Sequence, residues 1–202
     1  MTIKHVSILQ YRLLHYRVEL FEKLHAELKK SNIELHLVHG QPTKNELAKK
    51  DTGSIQWADV VKNKYISIDG RDILWQPYPK HLENADLVIM MQENRLLSNY
   101  PWLFFRGKHK PKIGYWGHGK NFQSRQKTGL RESWKQLLIN KVDWWFAYTE
   151  LTRDILKESQ YPDNRVTVLN NAIDNIGFEQ DLDSITSSQE QALRQQINAD
   201  SH

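Results

Sequence analysis

Apolar residues along this chain fall into short runs, separated by longer stretches in which they recur every three to four positions. That alternation predicts strands interleaved with helices. His5–Leu9 reads as the first strand. A helix over Tyr16–Lys30 follows, with Val18, Leu20, Phe21, Leu24 and Leu28 on one apolar stripe, and Ser31-Asn32 breaks it. Ile33–Val38 is the second strand and Lys64–Ile68 the third. A short helical piece at Asn45–Lys50 lies between them, and residues 69–84 read as irregular. Asp86–Met91 is almost continuously apolar, as expected of a central parallel strand covered on both faces. The pattern continues with a helix near Leu96–Phe105, a strand at Lys112–Trp116, a helix at Leu130–Lys141 carrying Trp134, Leu137 and Leu138, and a strand at Trp144–Tyr148. Thr149 has the chemistry of an N-cap for a helix over Leu151–Ser159, which Tyr161-Pro162 ends, and Arg165–Leu169 is the last strand.

Strands joined through helices pair in parallel by right-handed crossovers, so the expected fold class is α/β, a Rossmann-like, doubly wound, mainly parallel sheet over residues 1–174. From Asn175 onward the chain turns to Asp, Ser, Gln and Glu, with a weak helix at Gln189–Ile197. Residues 175–202 are expected to be a polar interdomain linker or tail, leading to a domain absent from this sequence.

Composition supports a packed core. Of 202 residues, 39% are hydrophobic and 10% aromatic, and the apolar residues cluster. The longest apolar run, Leu87–Met91, is far short of a membrane span, and the N-terminus lacks the apolar region of a signal peptide. Without cysteine there are no disulfides, thiolate nucleophiles or Cys-based zinc sites, and a cytoplasmic protein is expected. The net charge of +4 is unevenly placed: Arg106, Lys108, Lys110, Lys112, Lys120, Arg125, Lys127, Arg131 and Lys135 face the single acid Glu132 in that stretch. Such a run attracts the phosphates of an anionic lipid or lipid-linked sugar, which places the protein peripherally on the inner face of the cell membrane, or it is simply a solvated face. It lacks interleaved recognition motifs, so no nucleic-acid partner is expected.

Ligands of open parallel sheets bind outside the carboxyl ends of the strands. The first loop lacks G-x-G-x-x-G, and neither a P-loop nor H-E-x-x-H nor an EF-hand pattern occurs. The nine histidines are scattered rather than paired at ligand spacing. No cofactor and no metal are expected. The most informative segment is Tyr115–Asn121, where His118 stands between Gly117 and Gly119 directly after a strand and is followed by Lys120 and Asn121. Small neighbours let an imidazole and backbone approach a ligand closely, although the same pattern serves a tight turn. Glu93 and Glu150 suit a base or a hydroxyl-binding group, or equally a helix N-terminus. Arg12, His15 and Arg17 cluster after the first strand, where they could hold an anionic acceptor or pair with a local carboxylate. Trp116, Trp134, Trp144 and Trp145 read as core, whereas Trp57, Trp75 and Trp102 are freer to face a ligand or membrane.

Four segments together resemble the N-terminal domain of bacterial family-4 glycosyltransferases, the retaining GT-B group. They are Ile8–Tyr11 with His15–Phe21, then Tyr115–Gly119, then Ala147–Glu150, and finally Arg165–Asp174. The resemblance implies one half of a GT-B fold. It also implies transfer of a hexosyl sugar from a UDP- or GDP-sugar to a lipid-linked or polysaccharide acceptor, in lipopolysaccharide, capsule or exopolysaccharide synthesis. The nucleotide-sugar donor is then held mainly by a C-terminal domain with no counterpart in this sequence. By the same resemblance His118 contacts the donor sugar, Glu150 and Asn171 line the cleft, and Tyr16 and Arg17 belong to the acceptor-side loop. Combined with the strand-end residues, this gives His118 and Glu150 as candidate catalytic residues and Arg12, Tyr16, Arg17, Glu93, Gly117, Gly119, Lys120, Asn121 and Asn171 as candidate substrate-binding residues. The alternative expectation is a non-catalytic Rossmann-like binding or regulatory subunit that needs a partner chain.

Overall fold

In the computed structural model, residues 4–68, 71–105, 111–119, 137–170 and 175–196 are described. The chain divides into two compact units, Met1–Ala172 and Ile173–His202. The first is built on seven strands: β1 (Lys4–Gln10), β2 (Ile33–Gly40), β3 (Asp59–Val61), β6 (Leu87–Met91), β7 (Lys112–Gly117), β8 (Trp144–Ala147) and β9 (Val166–Val168). They lie in the order β3-β2-β1-β6-β7-β8-β9, and all adjacent pairs are parallel. The expected α/β class and Rossmann-like parallel sheet are therefore present.

Side chains alternate across the sheet, and both sets are apolar, which is why these strands read as runs rather than as alternations. Leu9, Val38, Val88, Met90, Ile113, Tyr115 and Trp145 pack on one face with Leu103, Leu138 and Leu156. Ile8, Leu35, Leu37, Ile89 and Trp116 pack on the other with Phe21. Phe21 belongs to α1 (Val18–Lys30), Leu103 to α3 (Asn99–Phe104) and Leu156 to α4 (Glu150–Glu158). Helices thus cover both faces, the doubly wound arrangement. Asn32 ends α1 in the left-handed region at φ 57°, and the Thr149 hydroxyl accepts from the Thr152 amide to start α4.

Two expectations change. Lys64–Ile68 (β4) is not a strand of the main sheet. It forms an antiparallel hairpin with β5 (Arg71–Trp75), inside the stretch read as irregular, and the third sheet strand is the short Asp59–Val61. Alternating Tyr65, Ile66 and Ile68 carries a strand signal but says nothing about its partner, which is a tertiary choice. Trp144, read as core, opens β8 with 36% of its surface exposed and donates to Thr167 Oγ1 at 3.0 Å. Trp145, its neighbour on the opposite face, is fully buried and donates to the Ile139 carbonyl at 3.1 Å.

Of the expected helix at 130–141, residues 137–141 are described, and 137–139 of them are helical. The basic stretch lies largely outside the described residues; within it, Lys112 pairs with Asp143 at 3.4 Å. In the second unit, α5 (Asn175–Ser184) precedes α6 (Ser187–Gln196), so the expected tail holds one helix more than its composition suggested. Thr186 and Gln189 cap α6 reciprocally, with the Thr186 amide 2.9 Å from Gln189 Oε1. No helix among the described residues is long and apolar enough to cross a membrane.

Phe21 is wholly buried under β1 and β2, whereas Val60 on edge strand β3 is 71% exposed. Phe21→Ala is expected to lower unfolding free energy by about 3–5 kcal/mol, and Val60→Ala by no more than about 0.5 kcal/mol. Urea denaturation of the two variants measures the contrast.

Candidate functional site

The chain runs outward from β1 through β2 to β3, then returns to place β6 on the other side of β1. Loops leaving β1 and β6 consequently part in opposite directions and open a crevice at the carboxyl ends of these strands. Gln10 closes β1, and Gln92 and Glu93 follow β6. Gly117 ends β7 with His118 after it, and Tyr148 follows β8.

Arg17 occupies this crevice. A short 3-10 turn, His15–Arg17, points it back over the sheet, where it is 6% exposed. It donates to Gln10 Oε1 at 2.9 Å and, through its other terminal nitrogen, to the Tyr148 hydroxyl. The guanidinium carbon lies 5.2 Å from the Trp116 ring, 5.5 Å from Tyr148 and 5.7 Å from Tyr16, inside a three-ring cage. No carboxylate pairs with Arg17 among the described residues. A desolvated cation satisfied by neutral partners alone keeps its field for whatever enters beside it. Two more polar atoms are buried there without a hydrogen-bond partner among the described residues, Gln10 Nε2 and Trp116 Nε1.

His118 stacks obliquely on Tyr148, ring centroids 4.3 Å apart. Partial desolvation first, and the charge of Arg17 second, push its imidazole below the ordinary value, which keeps the ring neutral. Its two glycines have separate reasons. A Cβ on Gly117 would come within 2.7 Å of the Gln92 Cβ, so the β6 and β7 loops close only over a bare backbone. Gly119 takes φ +70°, a left-handed conformation that favours glycine, and lies against Thr152, Ile155 and Leu156 of α4.

Other predicted residues divide by environment. Arg12 binds Asp51 at 2.7 Å and lies 3.9 Å from Glu46, and Glu93 binds Arg95 at 2.7 Å. Arg95 approaches Glu46 at 3.6 Å, and the Tyr11 hydroxyl donates to the same carboxylate at 3.0 Å. For Arg12, the local-carboxylate reading is the one the geometry carries. Burial acts to raise the Glu46 pKa, but hydrogen bonds from Thr43 and Tyr11 and the charge of Arg95 outweigh it and hold the group ionised. This network joins α2 (Lys44–Leu47) to the first and fourth strand exits and forms one wall of the crevice. Tyr16 is 40% exposed at the mouth. Glu150 stands in the first turn of α4, exposed and 3.7 Å from Arg153, the position that favours a helix dipole. Lys120, Asn121 and Asn171 lie outside the described residues.

Gln10, Trp116 and Tyr148 were not singled out as site residues by sequence. Each sits in or beside a strand and reads as sheet material until the register brings all three around Arg17. An apolar groove of about 370 Å³ continues from Arg17 and Tyr148 along α1, past Leu20, Leu24 and Leu28 to Val6 and Leu87. Among the described residues, one group of three has the side chains to hold a metal: His5, Glu34 and His36, near the amino ends of β1 and β2.

No family model matches the chain, and no curated protein does. Among solved structures, Anabaena HepE in complex with UDP-glucose aligns with TM-score 0.53 at 13% identity, over 96% of this chain and 50% of that one. The same protein with UDP and glucose aligns with TM-score 0.52 at 14% identity, over 96% and 50%. UDP-GlcNAc 2-epimerase from Methanocaldococcus jannaschii aligns with TM-score 0.45 at 14% identity, over 83% and 45%. The chain spans about half the length of these structures. At such identities the likeness to HepE is one of fold.

Two titration results are expected. His118 titrates below about 6.5, and Arg17→Met raises its pKa; histidine NMR titration checks this, and an unchanged value would sever Arg17 from His118. Burial also lowers His39. The unfolded chain therefore binds more protons than the folded one over this range. The stability owed to these imidazoles is complete above about pH 6.5 and is lost as pH falls through their folded-state values. Urea midpoints measured from about pH 7 down to about pH 5 should fall accordingly.

Proposed function

We propose that this chain is the acceptor-side half of a GT-B glycosyltransferase that moves a hexosyl group from a UDP- or GDP-sugar. The acceptor in this proposal is a lipid-linked or polysaccharide glycan of the cell envelope, and the linkage forms with retention. The observation that carries the reading is the caged Arg17 beside a neutral, glycine-flanked His118, set in the crevice between β1 and β6. Support comes from the fold likeness to HepE, whose structure contains UDP-glucose. The chain spans half of that protein, and in this proposal a second domain that binds the nucleotide completes the cleft.

Glycosyl transfer builds positive charge at the anomeric carbon while the departing diphosphate becomes more anionic. A neutral imidazole can exchange a hydrogen bond with a donor-sugar hydroxyl without adding charge beside that carbon. Arg17 supplies a fixed positive field for an anionic group, and its three-ring cage with Gln10 and the Tyr148 hydroxyl holds it in place. Gly117 and Gly119 leave room at the backbone, and Tyr16 lines the mouth on the acceptor side. Lys120, Asn121 and Asn171 are assigned to the same crevice, with Glu150 at its outer edge. Arg12 and Glu93 hold the wall.

The test supplies the chain with a nucleotide-binding second half, fused or separate, and follows labelled glucose from UDP-glucose onto a glycan acceptor. Transfer is expected, reduced roughly 100- to 1,000-fold in His118→Ala. Undiminished transfer in that variant would remove His118 from the chemistry. A tight complex of the two halves without transfer would favour a binding subunit.

A further inference from the structure

At the amino ends of the strands, opposite the crevice, β1 and β2 begin with an arrangement of different chemistry. In their parallel register His5 lies opposite Glu34 and Ser7 opposite His36. Glu34 and His36 are two residues apart on one strand, so they share a face, and the register puts His5 on that face beside them.

His5 Nδ1 lies 3.5 Å from His36 Nε2. The Glu34 carboxylate straddles the pair, with one oxygen 3.4 Å from His5 Nδ1 and the other 3.6 Å from His36 Nε2. Taking one ligand atom from each residue, all three lie within 4.8 Å of one another. Zinc bonds nitrogen and carboxylate oxygen at roughly 2.0–2.2 Å in tetrahedral sites, which sets neighbouring ligand atoms roughly 3.3–3.5 Å apart. The imidazole pair at 3.5 Å has that spacing, and each imidazole meets its own oxygen of Glu34 at 3.4 or 3.6 Å, so a carboxylate rotation brings one oxygen to both.

The donor set selects the cation. Two imidazoles and one carboxylate suit zinc or a neighbouring divalent transition metal, whereas calcium and magnesium require oxygen ligands. The His36 side chain is 19% exposed, against 42% for His5 and 51% for Glu34, so the group is anchored on one side and open to water on the other. Three protein ligands and one solvent-facing position make a three-plus-one site. Asp59 and His81 form a second pair nearby, 3.2 Å apart, on the same face of the sheet.

We propose that His5, Glu34 and His36 form a divalent transition-metal site of the zinc type, which clamps the beginnings of β1 and β2 together. Five residues of strand separate His5 from Gln10, roughly 17 Å, so the metal stands apart from the proposed sugar-transfer crevice. In this proposal it holds the central strand pair, with its fourth position open to solvent.

The experiment uses the whole chain, freed of metal with a chelator and titrated with Zn²⁺ by calorimetry and with Co²⁺ by visible absorption. One equivalent is expected to bind, the cobalt form showing the intense absorption of a four-coordinate site. Zn²⁺ should raise the thermal midpoint, and chelator should reverse the rise. His5→Ala, His36→Ala and Glu34→Gln should each weaken binding at least tenfold, whereas His25→Ala, remote from the cluster, should not. Glu34→Gln preserves side-chain shape, so a loss there reports the ligand rather than the fold. Equal Zn²⁺ affinity in the wild type and the His5→Ala/His36→Ala double variant would overturn the proposal. So would a six-coordinate cobalt spectrum or no binding at all, leaving a hydrogen-bonded imidazole pair. Loss of sugar transfer in the assay above would leave these metal readings unaffected.

Discussion

The burial of β1 between β2 and β6 is the constraint from which the remaining architecture follows. Its alternating side chains are needed by both layers, Leu9 by one cluster and Ile8 by the other, and neither set can move to solvent without exposing the core. A register slip of one residue would exchange the two faces, so the parallel pairing is held by packing on both sides at once. The direction reversal around this strand opens the crevice. The same strand supplies Gln10 at its carboxyl end and His5 near its start.

Within the crevice, the arrangement gives up stability to keep a charge available. Arg17 is desolvated yet meets an amide oxygen, a phenol and three aromatic rings, while nearby Arg12 and Arg95 are matched with Asp51, Glu46 and Glu93. The wall of the crevice is electrostatically closed and its centre is not. A buried cation without a carboxylate costs more than a paired one, and such costs concentrate where a protein binds or reacts. The Arg17 charge, without a carboxylate partner among the described residues, also bears on His118 and helps set the protonation of that imidazole.

Sequence-level reading recovered what depends on local rules. The strands Lys4–Gln10, Ile33–Gly40, Leu87–Met91, Lys112–Gly117 and Trp144–Ala147 are short apolar runs, helix α1 has a stripe with an Asn stop, and α4 has a threonine cap. These follow from periodicity and capping chemistry, which are properties of neighbouring residues. The glycine-flanked His118 was visible for the same reason.

Partnership across the chain was decided only by the tertiary structure. Lys64–Ile68 joined a hairpin rather than the sheet, because strand propensity does not name the strand it pairs with. Arg12 and Arg17 look alike in sequence, yet one turned to Asp51 and the other into a ring cage built from residues up to 131 positions away. His5 and His36 look scattered along the chain, and the β1–β2 register makes them neighbours. Hydrophobic pattern determines which residues are buried and in what local form. Which polar groups then face one another depends on register and crossover, and those are settled by packing the whole domain at once.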